Sequence, residues 1–274
     1  MNDLMQLRGR TALVTGAASG IGRAIAVSLA RRGSHVALAD IDEEGLAQTA
    51  SLMPAAGGRI SWHRLDVADR QAVTAFPEVI RAEHGGLDLL FNNAGVAIGG
   101  TFEQASEEDF EWLFEINFWG VVRMVRAFLP LLKASDDARV VNVSSIFGII
   151  APPRSAAYCA SKFAVRAFSE SLRHELDEEQ SRVGVTVVHP GGVATNIARN
   201  ARLPRGVAAE VVAARLKLVE AALKMPPESA GEIIVSGVER RRVRILVGAD
   251  AKFAAILERL APVSYWQFMR KRLP

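Results

Sequence analysis

Short apolar runs rich in Val, Ile and Leu recur along the chain at Thr11–Thr15, His35–Asp40, Ile60–Asp66, Leu87–Asn92, Arg139–Ser144, Val185–His189 and Val243–Val247. Amphipathic stretches with helical periodicity separate most of them. That alternation is the pattern of a parallel sheet with helices on both faces, since each parallel strand needs a crossover before the next. Among the helices are Ile21–Arg32, closed by Gly33 as a C-cap, one long helix over Glu107–Lys133, and one from Tyr158 towards Leu176.

No internal repeat or low-complexity linker divides the chain, so 1–274 reads as one α/β domain. The rhythm is interrupted once, between Pro190 and Pro227. There two helical pieces over Asn196–Leu223 replace the expected short connection, as a lid or as packing.

Composition narrows the class. The 274 residues, 50% of them hydrophobic, suffice for one core. A net charge of +3 does not suggest a nucleic-acid binder, but it is unevenly spread. Residues 235–274 hold nine Lys/Arg and three Asp/Glu, a net of +6 that leaves −3 for the rest. Cys159 is the only cysteine, which rules out an intrachain disulfide, and the five histidines do not fall at metal-ligand spacing. No uncharged apolar run reaches the roughly 18 residues of a membrane span. A cytoplasmic protein without a metal is the expectation.

The first candidate chemistry lies between the first strand and first helix, at Thr15-Gly16-Ala17-Ala18-Ser19-Gly20-Ile21-Gly22. A glycine-rich turn there lets backbone N–H groups of Gly16, Ser19, Gly20, Ile21 and Gly22 approach a pyrophosphate, with the positive end of the helix aimed at it. The spacing departs from G-x-G-x-x-G, and a plain tight turn is the competing reading. The second strand ends at Asp40, twenty residues after Gly20. An acidic group there accepts from a ribose 2′-hydroxyl and repels a 2′-phosphate, which favours NAD over NADP. Asp66 and Val67 after the third strand, and Asn93, Ala94 and Gly95 after the fourth, fall where ligands bind in open parallel sheets, though all are also ordinary loop-formers.

Tyr158 and Lys162 stand at i and i+4 near the start of one helix, so phenol and ammonium share a face. A nearby cation lowers a tyrosine pKa by roughly 1–3 units, which would make the phenol an acid/base near neutral pH. Ser145, thirteen residues before Tyr158, could hold a substrate oxygen against the phenol, with Ser144 as its competitor.

Taken together, T-G-x-x-x-G-x-G at Thr15–Gly22, N-N-A-G at Asn92–Gly95, Ser145, Y-x-x-x-K at Tyr158–Lys162 and Pro190-Gly191 closely resemble the short-chain dehydrogenase/reductase family from Leu7 to about Gly248. The resemblance implies a doubly wound Rossmann-type domain with a seven-stranded parallel sheet, and a tetrad of Asn, Ser, Tyr and Lys. Tyr158 then matches the general acid/base, and Lys162 the group that lowers its pKa and holds the nicotinamide ribose. The thirteen-residue interval selects Ser145 over Ser144 as the substrate-orienting serine. Asn117 matches the asparagine that holds a water in a proton relay to Lys162. Pro190, Gly191, Val193 and Thr195 match the nicotinamide-binding loop. Homodimers or homotetramers built through Glu107–Lys133 and Tyr158–Leu176 are implied by the family too.

The stretch 196–226 resembles the family's substrate lid. Val207, Val211, Val212, Leu216, Val219 and Leu223, with Ile146, Phe147 and Ile149, suggest an apolar pocket suited to a steroid-, retinoid- or terpenoid-like alcohol or a medium-chain secondary alcohol. Docking of the lid on the body competes evenly with that reading. Beyond the compact members of the family runs a C-terminal extension, 251–274. It is apolar at Phe253, Ile256, Leu257, Leu260, Tyr265, Trp266, Phe268 and Met269, and basic at Arg259, Arg270, Lys271 and Arg272. Packing on the core or on a neighbouring subunit is favoured there over contact with an anionic membrane surface. Two rivals to an NAD-dependent dehydrogenase stay open: a catalytically silent dinucleotide-sensing protein, and an epimerase or dehydratase of the same fold.

Overall fold

A computed structural model describes residues 4–54, 57–203 and 205–270. Seven strands, β1 (Thr11–Thr15), β2 (His35–Asp40), β3 (Ile60–Arg64), β4 (Leu89–Asn92), β5 (Ala138–Val143), β6 (Val183–Pro190) and β7 (Arg244–Val247), form one sheet. Its order is β3-β2-β1-β4-β5-β6-β7, and each neighbouring pair is parallel. The winding reverses between β1 and β4. The crossovers from these two strands leave in opposite directions and open a crevice at their carboxyl ends.

The helices are α1 (Gly20–Arg31), α2 (Glu43–Ser51), α3 (Arg70–His84), α4 (Glu107–Phe114), α5 (Gly120–Ala134), α6 (Ala156–Glu178), α7 (Ala209–Ala222), α8 (Pro227–Glu239), α9 (Ala249–Leu260) and α10 (Tyr265–Met269). Ile25 and Leu29 of α1, with Ile234 and Val238 of α8, pack on Val14, Phe91, Val141 and Val188 on one face of the sheet. Phe76 and Ile80 of α3, Phe128 and Leu132 of α5, and Val165 of α6 cover Leu13, Leu90 and Val140 on the other. Both faces of the central strands are therefore covered, which accounts for their mainly apolar sequence. Each large side chain so buried stabilises the fold by about 1.5–3 kcal/mol before entropy is counted.

Three expectations are corrected. The stretch Glu107–Lys133 is not one regular helix, because a single π-helical turn over Glu115–Trp119 separates α4 from α5. Asn117 sits in that turn with its side chain bonded to the Val96 backbone: Oδ1 accepts from Val96 N–H at 2.8 Å and Nδ2 donates to Val96 O at 3.0 Å. The wider turn and this side-chain bond to the segment after β4 occur together, as π-bulges commonly do at functional sites.

Between Pro190 and Pro227 the described residues form one helix, α7, rather than two. The stretch before it, 196–203, makes turns and pairs through an Ile98–Arg202 bridge. Strand ends also shift by a few residues. Leu87 and Asp88 precede β4, Asp66 lies two residues beyond β3, and Ser144 and Ser145 follow β5.

Candidate active site

The crevice is lined first by the turn from β1 into α1. The Ser19 hydroxyl makes no capping bond and the first turn of α1 carries no acidic residue, so the N–H groups of that turn are left to an external anion. Gly22 must be glycine, since a Cβ there would overlap the Gly16 carbonyl. Thr15 Oγ1 ties this turn to the Asn-Asn-Ala-Gly segment by accepting from Asn93 N–H at 3.0 Å and Ala94 N–H at 3.1 Å. Asn93 Nδ2 returns bonds to the Thr15 and Gly16 carbonyls.

Asp40 ends β2 beside this turn. Its carboxylate is fixed by Ala18 N–H at 3.0 Å on Oδ2 and Asp42 N–H at 3.1 Å on Oδ1. Each oxygen keeps a lone pair for a further donor. Asp66 is exposed and accepts from Ala68 N–H, while the Val67 side chain is buried against Gly120.

The opposite wall carries the candidate proton-transfer groups. Tyr158 is the third residue of α6 and Lys162 follows one turn later. Lys162 is 4% exposed; its Nζ donates to Val143 O at 3.1 Å and lies 5.7 Å from the centre of the Tyr158 ring. Ser145 caps a single 3₁₀ turn after β5 and accepts from Phe147 N–H at 3.1 Å, and its hydroxyl is placed to favour the ionised form of the Tyr158 phenol. Ser144 is turned away, donating to Lys162 O at 2.8 Å. Asn117 is fully buried and spends its side chain on Val96 and on Ser161 Oγ at 3.2 Å. A Cβ on Gly95 would come 3.1 Å from Asn117 Oδ1 and 3.4 Å from Lys162 Nζ, which places the strand end directly against the pair.

Electrostatics correct one expectation. Burial pushes the Tyr158 phenol up to about 12, only partly offset by its bond to Ser145, and burial pulls Lys162 down to about 8. Lys162 does not lower the phenol in this state, because desolvation outweighs an ammonium aimed at a carbonyl. His189, also buried, is held down to about 4 by desolvation; its Nδ1 lies 2.8 Å from Ser145 O, and its Nε2 has no partner.

After β6 the chain turns through Gly191 and Gly192 into Val193 and Thr195. Gly191 N–H bonds to Val247 O at 2.9 Å and Ala194 N–H to Met225 O at 2.8 Å, and the Val193 side chain is buried in the core. Thr195 lies over the glycine turn, where a Cβ on Gly20 would come 3.0 Å from its methyl group. The two halves of the crevice thus face each other across one cleft. Unclaimed amides at the α1 start, a fixed acidic group at the β2 end, and Tyr158 and Lys162 opposite fit a nicotinamide dinucleotide. Among the described residues no group of three or more His, Cys, Asp or Glu could hold a metal ion.

Beyond Tyr158 the wall is apolar, with Ile98, Leu113 and Ala157 buried and Val96, Phe110 and Phe114 packed against them. The lid reaches this wall through its first segment. Arg202 N–H bonds to Ala97 O, Gly99 N–H bonds to Arg202 O, and the Arg202 guanidinium lies 3.6 Å from the centre of the Trp112 ring and 3.3 Å from Asp109. Helix α7 buries none of its side chains; Val207, Val212, Leu216 and Leu223 are half-buried, while Val211 and Val219 are exposed. Arg202, Trp112 and Asp109 were not legible as partners in sequence, where arginine and aspartate stand 93 positions apart.

Part of the C-terminal extension packs on the body. Ala251, Ala254, Tyr265 and Met269 meet Ile146, Ile149 and Ile150, while Phe253, Ile256, Leu260 and Phe268 are exposed. Lys271 and Arg272 lie outside the described residues. No helix among the described residues is long and apolar enough to cross a membrane.

Residues 10–206 match the protein family described as short chain dehydrogenase. The chain is 42% identical over 266 residues to a putative oxidoreductase, SadH, of Mycobacterium tuberculosis, with 96% of this chain and 94% of that protein covered. It is 36% identical over 205 residues to 1-deoxy-11-beta-hydroxypentalenate dehydrogenase of Streptomyces exfoliatus, covering 74% of each. Among solved structures, a short-chain dehydrogenase/reductase from Burkholderia phymatum in complex with NAD superposes with a TM-score of 0.87 at 31% identity, covering 94% of this chain and 95% of that one.

Proposed function

The chain belongs to the short-chain dehydrogenase/reductase family, and on that premise we propose that this oxidoreductase moves a hydride between NAD(H) and a hydrophobic secondary alcohol or ketone. The observation that carries the reading is the Ser145–Tyr158–Lys162 arrangement at the mouth of a cleft whose other end has free helix-terminal amides and a fixed carboxylate.

When bound, the nicotinamide supplies the hydride acceptor or donor. Gly16, Ser19, Gly20, Ile21 and Gly22 hold the pyrophosphate end through backbone N–H groups, and Asp40 accepts from the adenosine ribose. Asp40 also sets the choice of NAD over NADP, since its carboxylate repels a 2′-phosphate. Asp66, Val67, Asn93, Ala94 and Gly95 border the adenine and ribose. Pro190, Gly191, Val193 and Thr195 form the nicotinamide loop.

The protein's own chemistry is proton handling. In ketone reduction the neutral phenol of Tyr158 donates its proton to the substrate oxygen, which the Ser145 hydroxyl holds in place. Its elevated pKa keeps that proton available at neutral pH. In alcohol oxidation the phenol must first ionise, which a cation bound next to it favours. Lys162, held near 8 by burial, is poised to exchange the proton onward at neutral to mildly alkaline pH. The Asn117 main chain in the π-helical turn is the place for a relaying water, because its side chain is committed to Val96 and Ser161.

Ile98, Leu113, Phe110 and Phe114 beside Tyr158 support an apolar substrate, as does the terpenoid acid in the name of the Streptomyces relative. The same reading makes the protein a homodimer or homotetramer through α4–α5 and α6, which expose Trp119 and Phe163. The test is dinucleotide-coupled turnover across steroids, retinoids, terpenoid alcohols and short diols, with NAD and NADP in parallel. Turnover of the apolar alcohols with NAD supports the reading, and a preference for short diols or for NADP removes the corresponding part of it. Tight NAD binding without turnover points to a silent sensor, and product formation without net NADH change points to an epimerase or dehydratase.

A further inference from the structure

Helix α9 begins beside the loop that follows β6. Its second residue, Asp250, accepts a hydrogen bond from Gly192 N–H on Oδ2 at 2.6 Å. The carboxylate lies so close that a Cβ on Gly191 would overlap it. The Gly-Gly pair at the head of the loop therefore does more than turn the chain: it admits the Asp250 side chain against the backbone. The loop is otherwise held by Val247 O and by Met225, on the sheet and lid sides respectively. Asp250 is the side chain that fastens it from the C-terminal segment.

That segment is itself anchored to the other reactive loop. Ala251 and Ala254, on the buried face of α9, pack against Ile146, Ile149 and Ile150, the residues that follow Ser145. Tyr265 Oη accepts from Ala151 N–H at 2.9 Å. Asp250 therefore fastens Gly192 from a helix that cannot shift without moving the Ser145 loop. One element spans both edges of the cleft: the edge carrying Ser145 and the edge carrying Val193 and Thr195.

We propose that Asp250 is a positioning residue for the nicotinamide half of the cofactor, holding the Gly191–Thr195 loop in register with Ser145 through the C-terminal segment. The inference rests on the dinucleotide reading of the cleft. Asp250 touches backbone only and lies outside the proton-transfer groups, so its loss leaves the adenosine half of the cleft intact.

Binding to the full-length protein separates the two halves, with NADH followed by its fluorescence and ADP-ribose, which lacks the nicotinamide, by calorimetry. Asp250→Ala is expected to weaken NADH about tenfold, the effect of losing one charge-assisted hydrogen bond, and to leave ADP-ribose within about twofold. Asp250→Asn, which keeps an acceptor oxygen at the same reach, is expected to retain most of the NADH affinity. Asp250→Ser, too short to reach Gly192 directly, replaces the alanine variant if that protein does not fold. Equal weakening of both ligands, or NADH affinity unchanged in the alanine or serine variant, overturns the assignment. Wild-type protein that binds neither ligand overturns the dinucleotide reading as well, whereas wild-type binding with an indifferent Asp250 overturns this inference alone.

Discussion

The Lys162 ammonium lies one helical turn from Tyr158, 5.7 Å from the centre of its ring, and donates to Val143 O at the end of β5 rather than to the phenol. Lys162 is buried and Tyr158 half-buried, and each is driven towards its neutral form: the phenol up to about 12 and the ammonium down to about 8. The pair rests as a neutral acid beside an amine near its own titration point. Ionising the phenol then takes stabilisation beyond what this resting pair supplies.

The buried lysine also carries a stability signature. Its pKa is about 8 in the folded protein against 10.5 in a solvated chain, so the unfolded state binds more protons between those values. The lysine's contribution is full above about 10.5 and is lost as pH falls to about 8. Lys162→Met should therefore be inactive yet more stable at pH 7, by about 1–3 kcal/mol after the unpaired Val143 carbonyl is counted. Urea denaturation should show this advantage largest below pH 8 and vanishing as pH approaches 10.5. An equal advantage at every pH would assign the effect to packing.

Asp40 is held by two backbone amides and keeps lone pairs for a ribose. Replacing it by serine removes the charge that repels a 2′-phosphate and keeps a small polar group. The ratio of kcat/KM for NAD over NADP should fall by about 10–100-fold, the size of losing one close charge repulsion. An unchanged ratio in steady-state assays would move cofactor choice elsewhere, with Arg23 nearby as the first alternative, since its guanidinium reaches Ala18 O and Gln48.

Arg202, stacked on Trp112 and paired with Asp109, ties the lid to the apolar wall near Tyr158. At a partly exposed site this clasp is worth about 1 kcal/mol. Arg202→Ala should raise KM for the alcohol several-fold, leave NADH affinity unchanged, and speed proteolytic nicking between 196 and 208. Unaltered nicking would show that the backbone bridge to Ile98 suffices.

Much of this was legible in the sequence. The strands were visible because β1, β4 and β5 are buried on both faces and so read as mainly apolar runs. The glycine turn, Asp40 and the Tyr158–Lys162 pair were visible because each is local, its geometry set by a few adjacent residues.

What escaped depends on long-range contact. The π-helical turn at Asn117 is tied to Val96, twenty-one residues earlier, and helical periodicity does not register one extra residue in a turn. The thirteen-residue interval singled out Ser145, but the bond by which Ser144 is turned to the Lys162 carbonyl joins residues eighteen apart and is set by the fold. The expected lowering of the Tyr158 pKa failed because spacing on a helix says nothing about how deeply two groups are buried. Asp250 stands fifty-eight residues from Gly192, and only the fold brings its carboxylate against Gly191 and Gly192.

In the proposed mechanism the Tyr158 hydroxyl transfers the proton while the rest of the site binds. Tyr158→Phe removes that oxygen and keeps the ring that packs near Phe147. With an alcohol that the wild type oxidises, kcat/KM should fall by about 10³-fold or more, while the NADH dissociation constant stays within about twofold. Turnover by Tyr158→Phe within tenfold of wild type would contradict the account.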